Sequence, residues 1–468
     1  MQKYHYIFSE GSRVNQVTCA ILINLTVFAY GASIGWMSPM GLLLQSENSP
    51  RGEPISDNEL SWMASVAYLS AIPMNYIMAF MGDRIGRKKT LIFMSITFAT
   101  LWAIKLYSTD TWALITARAL VGVSMAGCYV TAPVYIKEIS EDCIRGLLGS
   151  LAILSHTTGN LFGYIIGDLL RYNTVLWVCL ALPVLHVVLF LSMPESPSYL
   201  MKTGKHEEAA NVVAWLRCRK VTDTLVQGEL ECIKKEQSND ENSNDVKVKA
   251  LFEDKILFRA FRIAMMLSFV RELCGVTLIV NFAGEIFAMS SEKVFSALTP
   301  NQQAMLLGVV QTAGSVLASS LVERSGRKPL LLITSMVSMV SMCCLGSWFL
   351  AKNFGILSMT WMPIASTCLC IFSDAAGLLP ISIVVTCDIF SYKYRGTVLA
   401  ITMATACFAD FLLMLLFKPI VNYLGIYTVF YFFSGVCLMN AVYVLLVIPE
   451  TKQKSLEEIY DKLKTKKE

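Results

Sequence analysis

Arg271, Glu272 and Asp410 each lie inside a long apolar run. An ionised group in such a setting costs about 2.5 kcal/mol or more unless it faces water, a ligand or a counter-charge. The three therefore face a polar cavity or one another. A second set of charges occurs twice. Gly82-Asp83-Arg84-Ile85-Gly86-Arg87-Lys88-Lys89 is echoed by Glu323-Arg324-Ser325-Gly326-Arg327-Lys328. Pro133 leads through Glu138 to Arg145-Gly146, and Pro380 leads through Asp388 to Arg395-Gly396. Pro194-Glu195-Ser196-Pro197 is matched by Pro449-Glu450-Thr451-Lys452. A guanidinium fork grips a carboxylate through two parallel hydrogen bonds. Asp83, Arg84, Arg87, Glu138, Arg145 and Glu195 can thus form one ion-pair cluster. Glu323, Arg324, Arg327, Asp388, Arg395 and Glu450 can form its twin. Positive charge alone serves membrane topology, which accounts for Lys88, Lys89 and Lys328. Topology requires no paired acids, so the repeated clusters read as a gate.

Other chemistries find no support in the sequence. The four histidines are scattered, and no nucleophile–base set or phosphate-cradling Gly loop stands out. The 14 cysteines lie mostly in apolar stretches and show no zinc spacing. Neither metal nor cofactor is expected. A net charge of +4 without a dense basic stripe argues against nucleic acid as a partner. His156 has two readings, a packed, hydrogen-bonded ring or a pH-sensitive ligand.

The elements that must hold these charges are membrane helices. The chain has 468 residues, 55% hydrophobic and only 16% charged, against roughly a quarter charged in soluble proteins. The hydrocarbon core of a bilayer takes about 20 residues of helix. On that scale spans fall near 17–39, 60–80, 90–107, 112–134, 147–168 and 174–193, then near 261–288, 303–322, 330–350, 358–387, 397–417 and 426–448. The expected fold is an all-α membrane protein of twelve transmembrane helices in two six-helix halves, 1–193 and 261–448. A central loop with short helices, 194–260, and a tail, 449–468, complete it. Lys and Arg concentrate in the N-terminus, the even-numbered connections and the tail, which predicts that both termini are cytoplasmic. The polar Met1–Gln16 segment has no cleavable-signal pattern. Lys205–Lys220 reads as an amphipathic helix, and the Asn-, Asp- and Ser-rich Ser238–Asp245 run reads as unstructured. Gly122, Gly127, Gly159, Gly163 and Gly167 offer small faces for close helix packing.

These duplicated motifs resemble the sugar porter family of the major facilitator superfamily, over nearly the whole chain. The match is closest in Pro133–Gly146 and in the run Pro449-Glu450-Thr451-Lys452-Gln453-Lys454-Ser455-Leu456-Glu457-Glu458-Ile459. Insect trehalose or hexose carriers are suggested by the short first outer loop and by Gly35-Trp36 followed by Ser38-Pro39. The resemblance implies the major facilitator fold and alternating access to a small-molecule substrate, a sugar or polyol. It also implies a multi-pass protein, expected in the plasma membrane and functional as a monomer. In that family the charged clusters tie helix ends within each half and stabilise the outward-facing state, and Gly377 and Pro380 are expected to break their helix where the family has a flexible gating segment.

At the substrate positions the resemblance gives a changed residue set. The family's glutamine pair falls on Arg271 and Glu272, its asparagines on Thr277 and Asp410, and its outer-gate tyrosines on Asn281 and Phe282. A further glutamine falls on Ile153 and a tryptophan on Ile381. Amides suit sugars because each donates to one hydroxyl and accepts from its neighbour; here that chemistry is altered. Arg271 and Glu272, adjacent on a helix, should not project together, which makes Arg271–Asp410 the expected pair, with independent snorkelling as the other reading. In family symporters an acid on span 1 couples to protons, and Gly31 stands there. Uniport is expected, with Asp410 or Glu285 as alternative coupling groups. A carrier of a non-sugar metabolite, a proton symporter and a non-transporting sugar sensor are the rival readings.

Overall fold

The computed structural model describes residues 11–241, 253–290, 298–356, 359–390 and 392–452, with 454, 458, 460 and 461 in the tail. The side chains of Glu323, Arg324 and Arg395 lie outside what is described, as do residues 242–245 of the Ser238–Asp245 run and the tail beyond 461.

Within the described residues the chain is helical. The first half comprises α1 (Val14–Gly35), α2 (Met37–Gln45), α3 (Asp57–Ile85), α4 (Arg87–Tyr107), α5 (Thr111–Ala126), α6 (Ala132–Ile139), α7 (Asp142–Leu169) and α8 (Tyr172–Phe190). Three short helices follow, α9 (Pro197–Lys202), α10 (His206–Leu216) and α11 (Thr224–Glu241). The second half comprises α12 (Lys255–Leu273), α13 (Val276–Asn281), α14 (Ala283–Ser290), α15 (Pro300–Ser325), α16 (Arg327–Asn353), α17 (Met362–Ser373), α18 (Leu379–Ile389), α19 (Tyr392–Leu424) and α20 (Ile426–Leu446). These assemble into the twelve-span fold of two six-helix halves. Helix α11 takes in the start of the Ser238–Asp245 run, because its Glu-, Lys- and Gln-rich sequence sustains a helix.

Among the described residues, ten segments are long and apolar enough to cross a bilayer on composition alone. The exceptions among the spans are α7 and α15, long enough at 28 and 26 residues but carrying polar groups such as Thr157, Asn160 and Gln311. The two helices pack against each other across the halves, and Asn160 Nδ2 donates to Gln311 Oε1 at 2.9 Å. Their polarity is spent on that internal seam. Large apolar side chains such as Trp177, Val188, Ile333 and Phe432 point outward instead, as lipid contact demands.

Close packing rests on small residues. A Cβ on Gly31 would lie 2.1 Å from the His156 carbonyl oxygen, and one on Gly159 would lie 2.1 Å from that of Phe28. Helices α1 and α7 thus touch backbone to backbone, as expected where lipid supplies no hydrophobic drive and dispersion must hold helices together.

The sequence repeat is a structural repeat. Equivalent helices α3 and α15 both start in capping boxes, Ser56 with Glu59 and Thr299 with Gln302. Both end at a glycine in the left-handed region, Gly86 at φ 101° and Gly326 at φ 84°. Among the described residues each half also contains one π-helical turn, Gly127–Thr131 and Asp374–Leu378. Each turn begins six residues before the repeated proline, Pro133 or Pro380. Such single turns occur mostly where function demands them. Pro380 therefore does not break its span: the π turn takes up the hydrogen-bond defect, and α18 continues with the proline in its first turn.

A true interruption falls in the segment read as one span over 261–288. After Leu273 the chain turns at Gly275, φ 83°, before α13 begins, and it turns again at Phe282. A side chain at Gly275 would meet the Phe433 ring at 2.3 Å. Local glycine geometry, invisible to hydropathy, makes this helix discontinuous.

Candidate functional site: a polar chamber between the halves

The chamber lies where the interruption at Gly275 faces the two π turns. It is a cavity of about 120 Å³ lined from both halves, by Tyr30, Tyr68, Tyr129 and His156 on one side and by Arg271, Glu272, Asp374 and Asp410 on the other. The π turns deliver Tyr129 and Asp374, and the break at Gly275 lets Thr277 and Asn281 approach from α13.

Its electrostatics centre on Arg271. The guanidinium contacts the Glu272 carboxylate, and its Nε lies 3.6 Å from Asp374 Oδ1. Thr277 Oγ1 donates to Glu272 Oε2 at 3.2 Å. The Asp410 carboxyl, 4% exposed, lines the chamber beside Glu272 and Thr277, and its Oδ1 has no hydrogen-bond partner. Two expectations are corrected here. Arg271 and Glu272 do meet, because α12 ends two residues later and the long arginine side chain folds back at the helix terminus. The ion-pair partners of Arg271 are Glu272 and Asp374, not Asp410. Asp374 was missed although it is the sole charge in the 358–387 run.

Of the other expected substrate positions, Thr277 and Asn281 line the chamber. Ile153, Phe282, Gly377 and Ile381 do not line it. Phe282 is buried with its ring 4.8 Å from that of Phe417. Ile381 belongs to the apolar core of the second half. A Cβ on Gly377 would meet Thr334 at 2.4 Å, so this glycine serves packing against α16. Tyr30 stacks on His156 with ring centroids 5.3 Å apart and meets Tyr129 edge-on at 5.9 Å. These tyrosines had no recognisable spacing in sequence.

On the side away from the termini, contacts between the halves roof the chamber. Asn281 Nδ2 donates to Tyr68 Oη at 3.0 Å, and Tyr164 Oη to the Val280 carbonyl at 2.6 Å. The Gly284 amide donates to Ser38 Oγ at 2.8 Å. Outermost, Lys418 contacts Glu285 and reaches Asp57 Oδ1 at 3.0 Å, while Asn422 donates to Asp57 Oδ2 at 3.0 Å.

On the side of the termini, the repeated clusters bond within their own halves. Arg87 reaches Glu138 at 3.0 Å and Asp83 at 3.1 Å, and Ser196 donates to Glu138. In the second half Arg327 lies 3.6 Å from Asp388, which accepts from Thr451 Oγ1 at 2.9 Å. Glu195 and Glu450 act differently from the expected arginine forks. Glu195 accepts from the Lys88 amide at 2.9 Å, and Glu450 from the amides of Arg327 at 3.1 Å and Lys328 at 3.0 Å. Each carboxylate caps the positive N-terminus of a helix earlier in its half, α4 or α16. Burial pushes the Glu450 carboxyl up, but these amides and that of Lys452 outweigh it and hold it below the ordinary glutamate value. Arg84 stacks over Phe80 at 5.3 Å, and Arg145 Nη2 donates to the Ser140 carbonyl at 3.4 Å. Glu141, absent from the expected set, gathers Arg13 at 3.0 Å, Gln16 at 3.0 Å and Arg217 at 3.8 Å. It ties the start of α1 to α10.

Two similar six-helix halves closing over a polar chamber define a membrane transporter, not an enzyme. A family model described as "Sugar (and other) transporter" matches residues 19–463, and the chain belongs to that family. It is 26% identical over 452 residues to the facilitated trehalose transporter Tret1 of Polypedilum vanderplanki, covering 96% of this chain and 88% of the relative. It is 28% identical to the human solute carrier family 2, facilitated glucose transporter member 6, covering 92% of this chain and 88% of the relative. Among solved structures it is similar to the inward open conformation of the Escherichia coli xylose transporter XylE, with a TM-score of 0.78 at 19% identity, over 95% of this chain and 99% of that one.

Proposed function

We propose that this chain carries a sugar or polyol across a membrane by alternating access, the substrate binding in the chamber between the halves. The observation that carries this reading is the chamber itself. It is sealed on one side by bonds between the halves, while the clusters on the other side bond within each half. Rocking one half against the other exchanges which side is sealed. Its walls suit a polyhydroxylated solute: the tyrosine rings offer apolar faces to C–H groups, and Thr277, Asn281 and Gln311 offer hydroxyl and amide partners. The two halves, 1–193 and 261–448, act as the moving bodies, with 194–260 as the connection and 449–468 as the tail.

The repeated clusters are the gate on the side of the termini. Asp83, Arg87 and Glu138, with Arg327 and Asp388, fix the helix ends, and Glu195 and Glu450 cap them. The lysines and arginines on that side support a cytoplasmic orientation for it, and the membrane proposed is the plasma membrane. Similarity to proteins named as facilitated trehalose and glucose transporters supports passive transport. Counterflow into proteoliposomes with labelled glucose, trehalose, polyols and small anions tests this. Exchange of a sugar or polyol is expected; exchange of the anions alone overturns it.

A further inference from the structure

The roof bonds, the aromatic walls and the helix-end clusters all have neutral or paired chemistry, which leaves one anomaly. Three carboxylates, Glu272, Asp374 and Asp410, share the single guanidinium of Arg271. Arg271 is committed to Glu272 and Asp374. Asp410 faces the Glu272 carboxyl and Thr277, and its free Oδ1 is enclosed. The other charged or titratable groups at this spot are Tyr30 on α1, Tyr68 on α3, Tyr129 on the first π turn, His156 on α7 and Cys407 on α19. Among the described residues no lysine or second arginine lines the chamber.

Two neighbouring carboxyl groups buried in one small chamber cannot both be ionised without strong repulsion, and they settle by sharing one proton. We propose that Glu272 and Asp410 form a singly protonated acid pair, and that this pair is the hydrogen-bonding site for adjacent hydroxyls of the substrate. A carboxylic acid presents one donor and one acceptor side by side, as a carboxamide does. The pair thereby gives a sugar the donor–acceptor alternation that two bare carboxylates would lack. The proton comes from bulk water when the chamber is open and stays on the pair as substrate binds. Losing it leaves acceptors only, in a chamber already short of positive charge. Gly31 gives an independent constraint: the approach of α7 leaves no room for a side chain there, so α1 cannot supply an acid at that position.

The inference rests on the proposed transport function for its second half only, and the experiment separates the two. Infrared spectra of the purified protein at neutral pH, with Asp410→Asn and Glu272→Gln as references, read the pair without any substrate. A protonated carboxyl C=O band that shifts in heavy water and vanishes in both variants is expected; its presence unchanged in either variant overturns the pair. Size-exclusion profiles confirm that each variant is folded, and one folded variant suffices for the comparison. Counterflow of D-glucose and trehalose then reads the role. Exchange should fall by about tenfold per pH unit once the shared proton leaves, and the profile should flatten in Glu272→Gln, whose amide needs no proton. A pH-independent wild type overturns the binding role. Failure of both sugars to exchange refutes the sugar reading and leaves the infrared result to judge the pair.

Discussion

Lys418 is the group whose removal should most change which side of the carrier is closed. Its ammonium is 5% exposed and contacts Glu285, 10% exposed, and Asp57, 41% exposed, in the outermost bond between the halves. Lys418→Met leaves Asp57 with Gln45, Asn422 and solvent, a loss below about 1 kcal/mol. Glu285 is different, because it stays buried with no counter-charge while the roof is closed. Breaking a buried pair costs about 3–5 kcal/mol. A carboxylate can relieve part of that by taking up a proton, so the lower figure, about 3 kcal/mol, is the better value. The penalty falls on the roofed state alone, since opening the roof hydrates Glu285. A shift of about 3 kcal/mol is roughly 100-fold in the ratio of open to roofed molecules. The assay is the labelling rate of Ser38→Cys by a membrane-impermeant maleimide, with the exposed Cys143, Cys232 and Cys343 replaced by serine. Lys418→Met should raise that rate by up to two orders of magnitude. Lys418→Met with Glu285→Leu should bring most of it back, because no buried charge remains. An unchanged rate in the single variant, or no recovery in the double, would refute the reasoning.

Three further outcomes are expected. Gly86→Ala should lower Tm more than Gly326→Ala, since both carry strained positive φ but the added carbon lies 2.3 Å from Glu195 in one case and 3.2 Å from Glu450 in the other; thermal unfolding in detergent checks the order. Glu450 is held below the ordinary glutamate value, so its contribution is complete above about pH 4.3 and lost as pH falls through its lowered folded value. The Tm difference between wild type and Glu450→Gln should therefore hold steady from neutral to mildly acid pH and shrink only below that. Lys105 is buried between Trp36 and Trp102, 3.5 and 4.2 Å from the ring centroids, with its Nζ making no hydrogen bond. Two cation–π contacts of about 2 kcal/mol each only offset desolvation of several kcal/mol. Lys105→Met should leave Tm unchanged or raised, and a clear fall would show that the ammonium itself is needed.

Much of this was legible in the sequence, and the reasons differ by feature. Hydropathy found the crossings because lipid imposes one length on them all, and it found α7 and α15 only by length and spacing, since their polar groups face each other. The repeated charges were visible because they stand in short loops at fixed places. Their partners were less so. Glu195 and Glu450 looked like ligands for arginine, whereas backbone amides at helix starts, which leave no trace in residue identity, take most of their bonds. Arg271 and Asp410 were conspicuous as charges in apolar runs, yet finding that Arg271 pairs with Glu272 and Asp374 instead of Asp410 needed knowledge of where α12 stops. The tyrosine walls were invisible, because a tyrosine facing a chamber and one facing lipid read alike.

The matched π turns carry one last consequence. An α-helix advances about 100° per residue, and each of these turns holds a residue that a regular helix would not. Deleting Ala376 would let its span relax into ordinary winding and swing everything on one side of the cut by that angle. Asp374 would leave Arg271 and point toward neighbouring helices or lipid. Single-residue deletions in these two five-residue stretches should therefore abolish function where many substitutions are tolerated, which makes chain length, more than residue identity, the quantity that selection must guard there.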